Sequence, residues 1–225
     1  MKFIYGDSWE KYPIKTGETW IERDTGSIVS VCDIIETLPD YMMVADMVYV
    51  DPPWNLGNAN GFYTKAGLQD RYIDNFSAFY KKLFSRITAI KPRVCYIEVG
   101  LQNKLLFMAE MVTCHFPMMQ AWDITYYRKN PCVLIRGGDK FQTFDFTGMD
   151  EADTPSIAIE QEKPRVVADL CTGQGLTAIA AYRQGKKFVG TELNPRRLAV
   201  AIDRVNKIGG KYECAVSEGY LDCNH

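Results

Sequence analysis

The stretch Val166-Val167-Ala168-Asp169-Leu170-Cys171-Thr172-Gly173-Gln174-Gly175 decides the fold of this 225-residue chain. Its β-branched, apolar start reads as a buried strand, and two glycines form a loop whose backbone can approach a ligand. Small and apolar residues from Leu176 to Tyr182 then continue as a helix. A second strand is expected over Lys187 to Glu192, ending on an acid. Asn194-Pro195 opens a further helix to about Asn206, with Leu198, Ala201, Ile202 and Val205 on one face. In this βαβα unit Glu192 follows Gly175 by 17 residues, about where nucleoside-binding folds place the carboxylate that holds ribose hydroxyls. The reading is an α/β, doubly wound, mostly parallel, Rossmann-like sheet that binds a nucleoside cofactor. Gly173-x-Gly175-x-x-Ala178 also satisfies the relaxed dinucleotide fingerprint, so spacing alone leaves a nicotinamide or flavin open.

Far upstream, the apolar run Val48-Tyr49-Val50 ends in Asp51-Pro52-Pro53-Trp54. Two prolines cannot continue a central strand, and each fixes its own φ while restricting the residue before it. The chain therefore leaves the sheet in a stiff turn with an acid on one side and an indole on the other. A carboxylate and a proline carbonyl can accept hydrogens from an amine, and an indole can stack on a ring. The combination suits a planar molecule that bears an NH₂ group.

Together these segments resemble the amino-methylating DNA methyltransferases. Asp169-Leu-Cys-Thr-Gly-Gln-Gly175 is similar to the Asp-Pro-Phe-Cys-Gly-Ser-Gly loop with which they bind S-adenosylmethionine. Phe188-Val-Gly-Thr-Glu-Leu-Asn-Pro195 resembles their Gly-Ile-Glu-Ile-Asn-Pro segment, and Asp51-Pro-Pro-Trp54 their catalytic motif. The Asp form is commonest in enzymes that methylate adenine N6, whereas cytosine-N4 relatives more often begin with Ser. The resemblance covers about Ser27 to Ile208. The catalytic motif precedes the cofactor loop by 118 residues, the circularly permuted order of the β group. Chain ends lie on the surface of such a fold, so permutation costs little.

The resemblance implies Asp51, Pro52, Pro53 and Trp54 as catalytic residues and S-adenosylmethionine as cofactor. It implies Asp169, Cys171, Thr172, Gly173, Gly175, Thr177, Glu192 and Asn194 as cofactor contacts. Asp33, at the end of a short apolar strand, matches the element whose carboxylate accepts from the cofactor's adenine amine, with Asp7 a weaker candidate. The family's His-Pro-Thr-Gln-Lys-Pro type segment is absent, and Asp153-Thr154-Pro155 is the best-placed stand-in. Phe62 and Tyr63 are expected to join Trp54 in stacking on a target base extruded from DNA. Cytosine-N4 transfer, RNA adenosine methylation and a non-catalytic nucleic-acid-binding subunit stay open as alternatives. A homodimer and a cognate restriction nuclease are the partners the resemblance brings with it.

Composition agrees. A chain of this length can bury a substantial core as a single domain. Its expected parts are a catalytic half over about 28–145, a connecting segment over 146–164 and a cofactor half over 165–225. No basic-then-apolar leader and no apolar run of membrane length occurs, which leads to the expectation of a cytoplasmic enzyme of a prokaryotic or phage-infected cell, without a membrane partner. Seven Cys with no C-x-x-C pair, and two His, argue against a disulfide scaffold or a zinc site. Cys171 reads as a packing residue rather than a nucleophile.

The net charge of −2 is unevenly spread. Residues 1–50 balance to −5, residues 51–145 to +4, residues 146–164 to −4 and residues 165–225 to +3. The basic share, Lys81, Lys82, Arg86, Lys91, Arg93, Arg128, Lys129, Arg136 and Lys140, is a modest phosphate footprint; a solvated helix face suffices for Lys81, Lys82 and Arg86, and Tyr126-Tyr127-Arg128-Lys129-Asn130 is the best contact segment. Asn55 to Asp70, rich in Gly and Asn, reads as a mobile loop over the catalytic edge. Further elements are a helix over Phe76 to Ala89, a strand over Val94 to Val99, a helix around Leu105 to Met111 and a strand over Trp122 to Tyr127. Gly137 to Glu162 reads as an acidic segment that wraps the edge. Recognition insertions are confined to Pro131–Phe146 and the first 27 residues.

Overall fold

Alternate residues of the central strands enter two different cores. Strand β3 (Met47–Val50) sends Met47 and Tyr49 to one face and Val48 and Val50 to the other, and β4 (Val94–Gly100) divides Val94 and Tyr96 from Cys95, Ile97 and Val99 in the same way. Strands buried on both faces read as near-continuous apolar runs, and β3 and β4 do. The computed structural model describes residues 5–215.

Seven further strands complete the sheet: β1 (Thr19–Glu22), β2 (Ile28–Val31), β5 (Met118–Tyr126), β6 (Asn130–Gly138), β7 (Val166–Asp169), β8 (Lys187–Glu192) and β9 (Tyr212–Cys214). Their order is β5-β6-β4-β3-β7-β8-β2-β1-β9. The five central strands, β4-β3-β7-β8-β2, are parallel. Antiparallel pairs extend both edges, so the sheet is less uniformly parallel than the sequence suggested.

Helices α5 (Thr154–Glu162), α6 (Leu176–Arg183) and α7 (Pro195–Lys207) feed one core, with Ile159, Ala178, Leu198 and Ile202. Helices α3 (Phe76–Ile90) and α4 (Lys104–Thr113) feed the other, with Leu83, Phe84, Phe107 and Met111. The result is the three-layer, doubly wound arrangement. Strands β3 and β7 are adjacent, and their chains go on to helices on opposite faces, which makes the gap beyond their carboxyl ends the switch-point crevice of the sheet. Asp46 fixes this neighbourhood: its carboxylate accepts the N–H groups of Arg165 and Val166 at 3.0 and 2.9 Å.

Three sequence expectations give way. Asn55 to Asp70 is largely helix α2 (Leu56–Ala66), because the Asn55 side chain accepts the Asn58 N–H at 2.8 Å and Gly67 supplies the left-handed C-cap. The connecting segment carries α5 and the fully buried Phe146, so it belongs to the core rather than wrapping it. Pro131–Phe146 is no separate insertion, since its first half belongs to β6, paired on both sides. The N-terminal segment likewise packs inward: α1 (Ser8–Lys11) is tied to α7 through Ser8 and Lys11, whose side chains donate to Asp203 at 2.9 and 3.0 Å.

Candidate active site

Strands β2, β3, β7 and β8 release Asp33, Asp51, Asp169 and Glu192 at or just beyond their carboxyl ends, and all four line one cavity of about 960 Å³. Pro52, Pro53, Trp54, Phe62, Tyr63, Arg128, Cys171, Thr172, Gly173 and Thr177 line it too. Most of the residues named from the sequence therefore line one cavity. Gly175, Asn194 and Lys129 lie outside the lining.

The glycine loop is built for close approach. Gly173 has φ +56° and Gly175 φ +82°, values that L side chains rarely adopt. A Cβ on Gly175 would come within 2.8 Å of the Ala201 Cβ, so this glycine lets α6 pack on α7 rather than touching a ligand. Glu192 accepts the Gly173 N–H through Oε2 at 2.7 Å and the Asn194 N–H through Oε1 at 2.9 Å. Asn194 is a structural member: its Oδ1 caps α7 at Arg196 N, 2.9 Å, and its Nδ2 donates to the Lys65 carbonyl at 3.0 Å. That last bond fastens α2 over the cavity.

Asp33 accepts the Tyr63 hydroxyl at 2.8 Å and the Ile35 N–H at 3.0 Å. Tyr63 thus serves the Asp33 end of the cavity rather than the Trp54 end, a correction to its expected stacking role. Phe62, expected to stack on a base, lies instead beneath the Arg197 guanidinium, 4.6 Å from its ring centroid. Asp7 is exposed and away from the cavity.

At the other end, Trp54 Nε1 donates to Asp51 Oδ1 at 3.0 Å. The indole rests on Gly100, where a Cβ would come within 3.1 Å of the ring, and meets Tyr126 edge-on at 5.0 Å. Burial raises the Asp51 carboxyl to about 7 against the opposing Trp54 bond and Arg197 charge. Asp169 is also raised to about 7, chiefly by burial, although it accepts the Cys171 N–H at 2.9 Å. Burial pushes the Cys171 thiol well above its ordinary value, which suits packing and not nucleophilic attack.

Tyr127 and Arg128 form the tip of the β5–β6 hairpin with φ +52° and +59°. Two consecutive non-glycine residues in the left-handed region are strained. The acidic strip behind holds them there: Glu151 accepts the Tyr127 N–H at 2.7 Å and Asp150 the Arg128 N–H at 2.5 Å. The tip stands at the cavity wall with Tyr127 and Arg128 exposed. Pro155, of the stand-in Asp153-Thr154-Pro155, lines the same wall.

Part of the expected phosphate footprint is internal. Arg136 is fully buried, with Nε donating to Glu162 Oε1 at 2.8 Å, and Arg93 pairs with the same carboxylate at 3.1 Å. Arg86 donates to the carbonyls of Ile34 and Ile35. Charge alone suggests a solvent-facing position for all three; Arg136 is instead inside, and Arg86 and Arg93 are half-buried and tied to specific acceptors. The sequence reading also passed over Glu98, Glu151 and Arg197, and it gave Tyr126 only as part of the nucleic-acid contact segment. The detectable signals were an acid inside the apolar strand Val94-Cys-Tyr-Ile-Glu-Val-Gly100 and the Arg196-Arg197 pair after Asn194-Pro195.

No family model and no curated protein matches the chain. Solved structures do. The M1.HpyAVI–SAM complex aligns with TM-score 0.55 and 14% identity over 79% of this chain and 98% of its own. The Thermus thermophilus protein TTHA0409, complexed with S-adenosyl-L-methionine, aligns at 0.56 and 17% over 80% and 94%. PvuII DNA methyltransferase (cytosine-N4-specific) aligns at 0.53 and 13% over 94% and 92%. At such identities the likeness establishes the fold: the chain has the α/β fold of S-adenosylmethionine-dependent methyltransferases and resembles the amino DNA methyltransferases.

Proposed function

We propose that the protein is a DNA methyltransferase that uses S-adenosylmethionine and acts on the exocyclic N6 amine of adenine. The observation that carries this reading is Asp51 held at the switch point in the same cavity as the Glu192-braced glycine loop. Chain order, with β3 ahead of β7, fits the circularly permuted group.

The residues present suit the cofactor. Seven carboxyls line the cavity against four cationic side chains, and two of them, Asp51 and Asp169, are pushed up to about 7. A sulfonium cation relieves that imbalance, whereas the pyrophosphate of a dinucleotide adds to it. Glu192 and Asp33 would hold the ribose and adenine, with Gly173 giving the backbone room. When bound, S-adenosylmethionine supplies an electrophilic methyl group.

The amine of adenine is a poor nucleophile because its lone pair is delocalised into the ring. Asp51 Oδ1 is occupied by Trp54, which leaves Oδ2 to accept one amine hydrogen while the Pro52 carbonyl accepts the other. Both acceptors are rigid, so they favour a pyramidal nitrogen without reorganising in the transition state. A carboxyl near neutrality can then take up the proton that the methylated amine releases. Trp54 and Tyr126 provide the aromatic walls for an extruded base. Arg128 and Tyr127 at the exposed hairpin tip are the candidate phosphate and sugar contacts.

The Asp form of the tetrapeptide supports adenine over cytosine N4, and Asn194-Pro195 supports DNA over RNA. The intact acid and glycine loop support an active enzyme over a binding subunit. The test is transfer of a labelled methyl group to DNA, followed by nucleoside mass analysis. N6-methyladenine is expected; N4-methylcytosine would correct the target, and no label in any nucleic acid would overturn the reading.

A further inference from the structure

Beside Asp51 stands a second acid with no part in the mechanism above. Val50 of β3 is in register with Ile97 of β4, so Asp51 and Glu98 occupy the next matching positions on neighbouring parallel strands. Such strands lie about 4.8 Å apart, and the two side chains share a face. Glu98 is only 2% exposed yet lines the cavity. Its Oε1 lies within hydrogen-bond reach of the hydroxyls of both Tyr49 and Thr154, the latter at 2.9 Å, and those hydroxyls meet each other at 2.6 Å. No hydrogen bond to Oε2 occurs among the described residues.

The groups that face Glu98 are Tyr49 of β3, Asp51 beyond it, Glu151 and Thr154 before and in α5, and Cys132 of β6. None is a cation. Burial and Asp51 together hold the Glu98 carboxyl well above the ordinary range. The bonds from Tyr49 and Thr154 oppose that rise without overcoming it, and their placement on one oxygen is compatible with a carboxylic acid, whose carbonyl oxygen accepts while the other oxygen donates. With both hydroxyls on Oε1, the O–H falls on Oε2.

We propose that Glu98, as a carboxylic acid accepting at Oε1, donates from Oε2 to the ring nitrogen that flanks the amine-bearing carbon of the target base. That nitrogen is N1 in adenine and N3 in cytosine. This assignment rests on the methyltransferase reading and adds to it a base-edge subsite. Asp51 takes the amine and Glu98 checks that an unprotonated ring nitrogen lies next to it. A base with an N–H there, as in thymine or guanine, would set donor against donor.

The experiment begins from a modified position mapped by sequencing DNA treated with the parent protein. Oligonucleotides then carry, at that position, the natural base, its analogue with CH in place of the flanking nitrogen (1-deazaadenine or 3-deazacytosine) or, for adenine, 7-deazaadenine. Loss of the nitrogen weakens base pairing and eases extrusion, so any drop in rate opposes that background. The parent is expected to lose on the order of 10- to 100-fold on the 1- or 3-deaza base, as for an unmet buried donor, and little on 7-deazaadenine. Glu98→Leu should lose similarly on the natural base and no further on the deaza base. Glu98→Gln, which keeps a donor and an acceptor, should stay active. It should also lack the high-pH fall in rate that the parent shows as Glu98 ionises. Equal parent rates on natural and deaza bases, or a Glu98→Gln variant as inactive as Glu98→Leu, would overturn the proposal alone. A complete absence of transfer to DNA would remove the methyltransferase reading and this subsite with it.

Discussion

Glu192 closes the glycine loop from below, its Oε2 accepting the Gly173 N–H at 2.7 Å while Oε1 accepts the N–H of Asn194. One carboxylate therefore joins the loop after β7 to the start of α7, and still faces the cavity. Glu192→Ala should weaken S-adenosylmethionine binding by about 1–3 kcal/mol, the worth of a charge-assisted hydrogen bond. Calorimetry measures this directly; tight binding of a dinucleotide instead would contradict the proposed cofactor.

Gly175→Ala isolates the packing of α6 on α7. The new Cβ would meet Ala201 at 2.8 Å in a backbone with φ +82°, whereas at Gly148, φ +78°, it would meet nothing within 4 Å. Gly148→Ala should cost roughly 1 kcal/mol of backbone strain and Gly175→Ala roughly 1–3 kcal/mol more. Equal denaturant midpoints for the two variants would refute the tight α6–α7 approach.

Asp51→Ala should abolish methyl transfer and leave the fold and cofactor binding nearly intact, because Asp51 is loaded mainly in the transition state. Asp51→Asn keeps the shape with a weaker acceptor, so its loss should appear in the chemical step and not in KM. Trp54→Ala should impair base binding by roughly 1–3 kcal/mol as well, and frees the Asp51 oxygen that the indole occupies. Near-parent turnover by Asp51→Ala would reduce the Asp-Pro-Pro-Trp segment to a turn.

Asp51 and Asp169 make pH a probe. Both are raised from 3.8 to about 7, so the fold favours their neutral forms. That contribution to stability is complete below the unfolded value near 4 and is lost as pH rises through about 7. The free protein should therefore lose Tm from about pH 4 to about pH 7. A bound sulfonium favours the ionised forms, so the Tm gain from S-adenosylmethionine over uncharged-sulfur S-adenosylhomocysteine should grow across the same interval. A gain independent of pH would show that the cation does not approach these acids.

Arg128 and Lys129 test the docking surface. Replacing both with Ala should lower DNA affinity and reduce the slope of log K against log salt by roughly 0.9 for each phosphate that is no longer neutralised. Cofactor affinity should hold. Because Asp150 and Glu151 grip the hairpin through backbone N–H groups, the tip should keep its shape in the variant. An unchanged slope would move the DNA track elsewhere.

The site was more legible than the scaffold. Asp51, Asp169, the glycine pair and Glu192 are adjacent in space because strand ends and loops were readable one by one, and the doubly wound arrangement brings them together. Helix α2 was not readable, since its Asn- and Gly-rich sequence has poor helix propensity and depends on the Asn55 cap, Gly67 and the Asn60 bonds to Ile73. Arg136 was misread because charge alone does not reveal a buried partner, and Glu162 lies 26 residues away in α5. Glu98 was missed for the converse reason: in an apolar strand a single acid carries no local pattern, and its meaning comes from Tyr49, Thr154 and Asp51.

The pairing of β3 with β7 joins Met47 to Val167, and that of β2 with β8 joins Ile28 to Val189. A ribosome adding about 5–20 residues per second needs roughly 6–24 s to bridge the first of these gaps. Through that interval β3 keeps one edge unpaired, and β4 covers the other only once Val94–Gly100 has emerged. Loops this long make such pairings slow to form and leave the edge open to other chains. Asp51 therefore gains its neighbours Asp169 and Glu192 late in synthesis, and a nascent chain that already carries the Asp-Pro-Pro-Trp segment cannot assemble the cavity until β7 and β8 emerge.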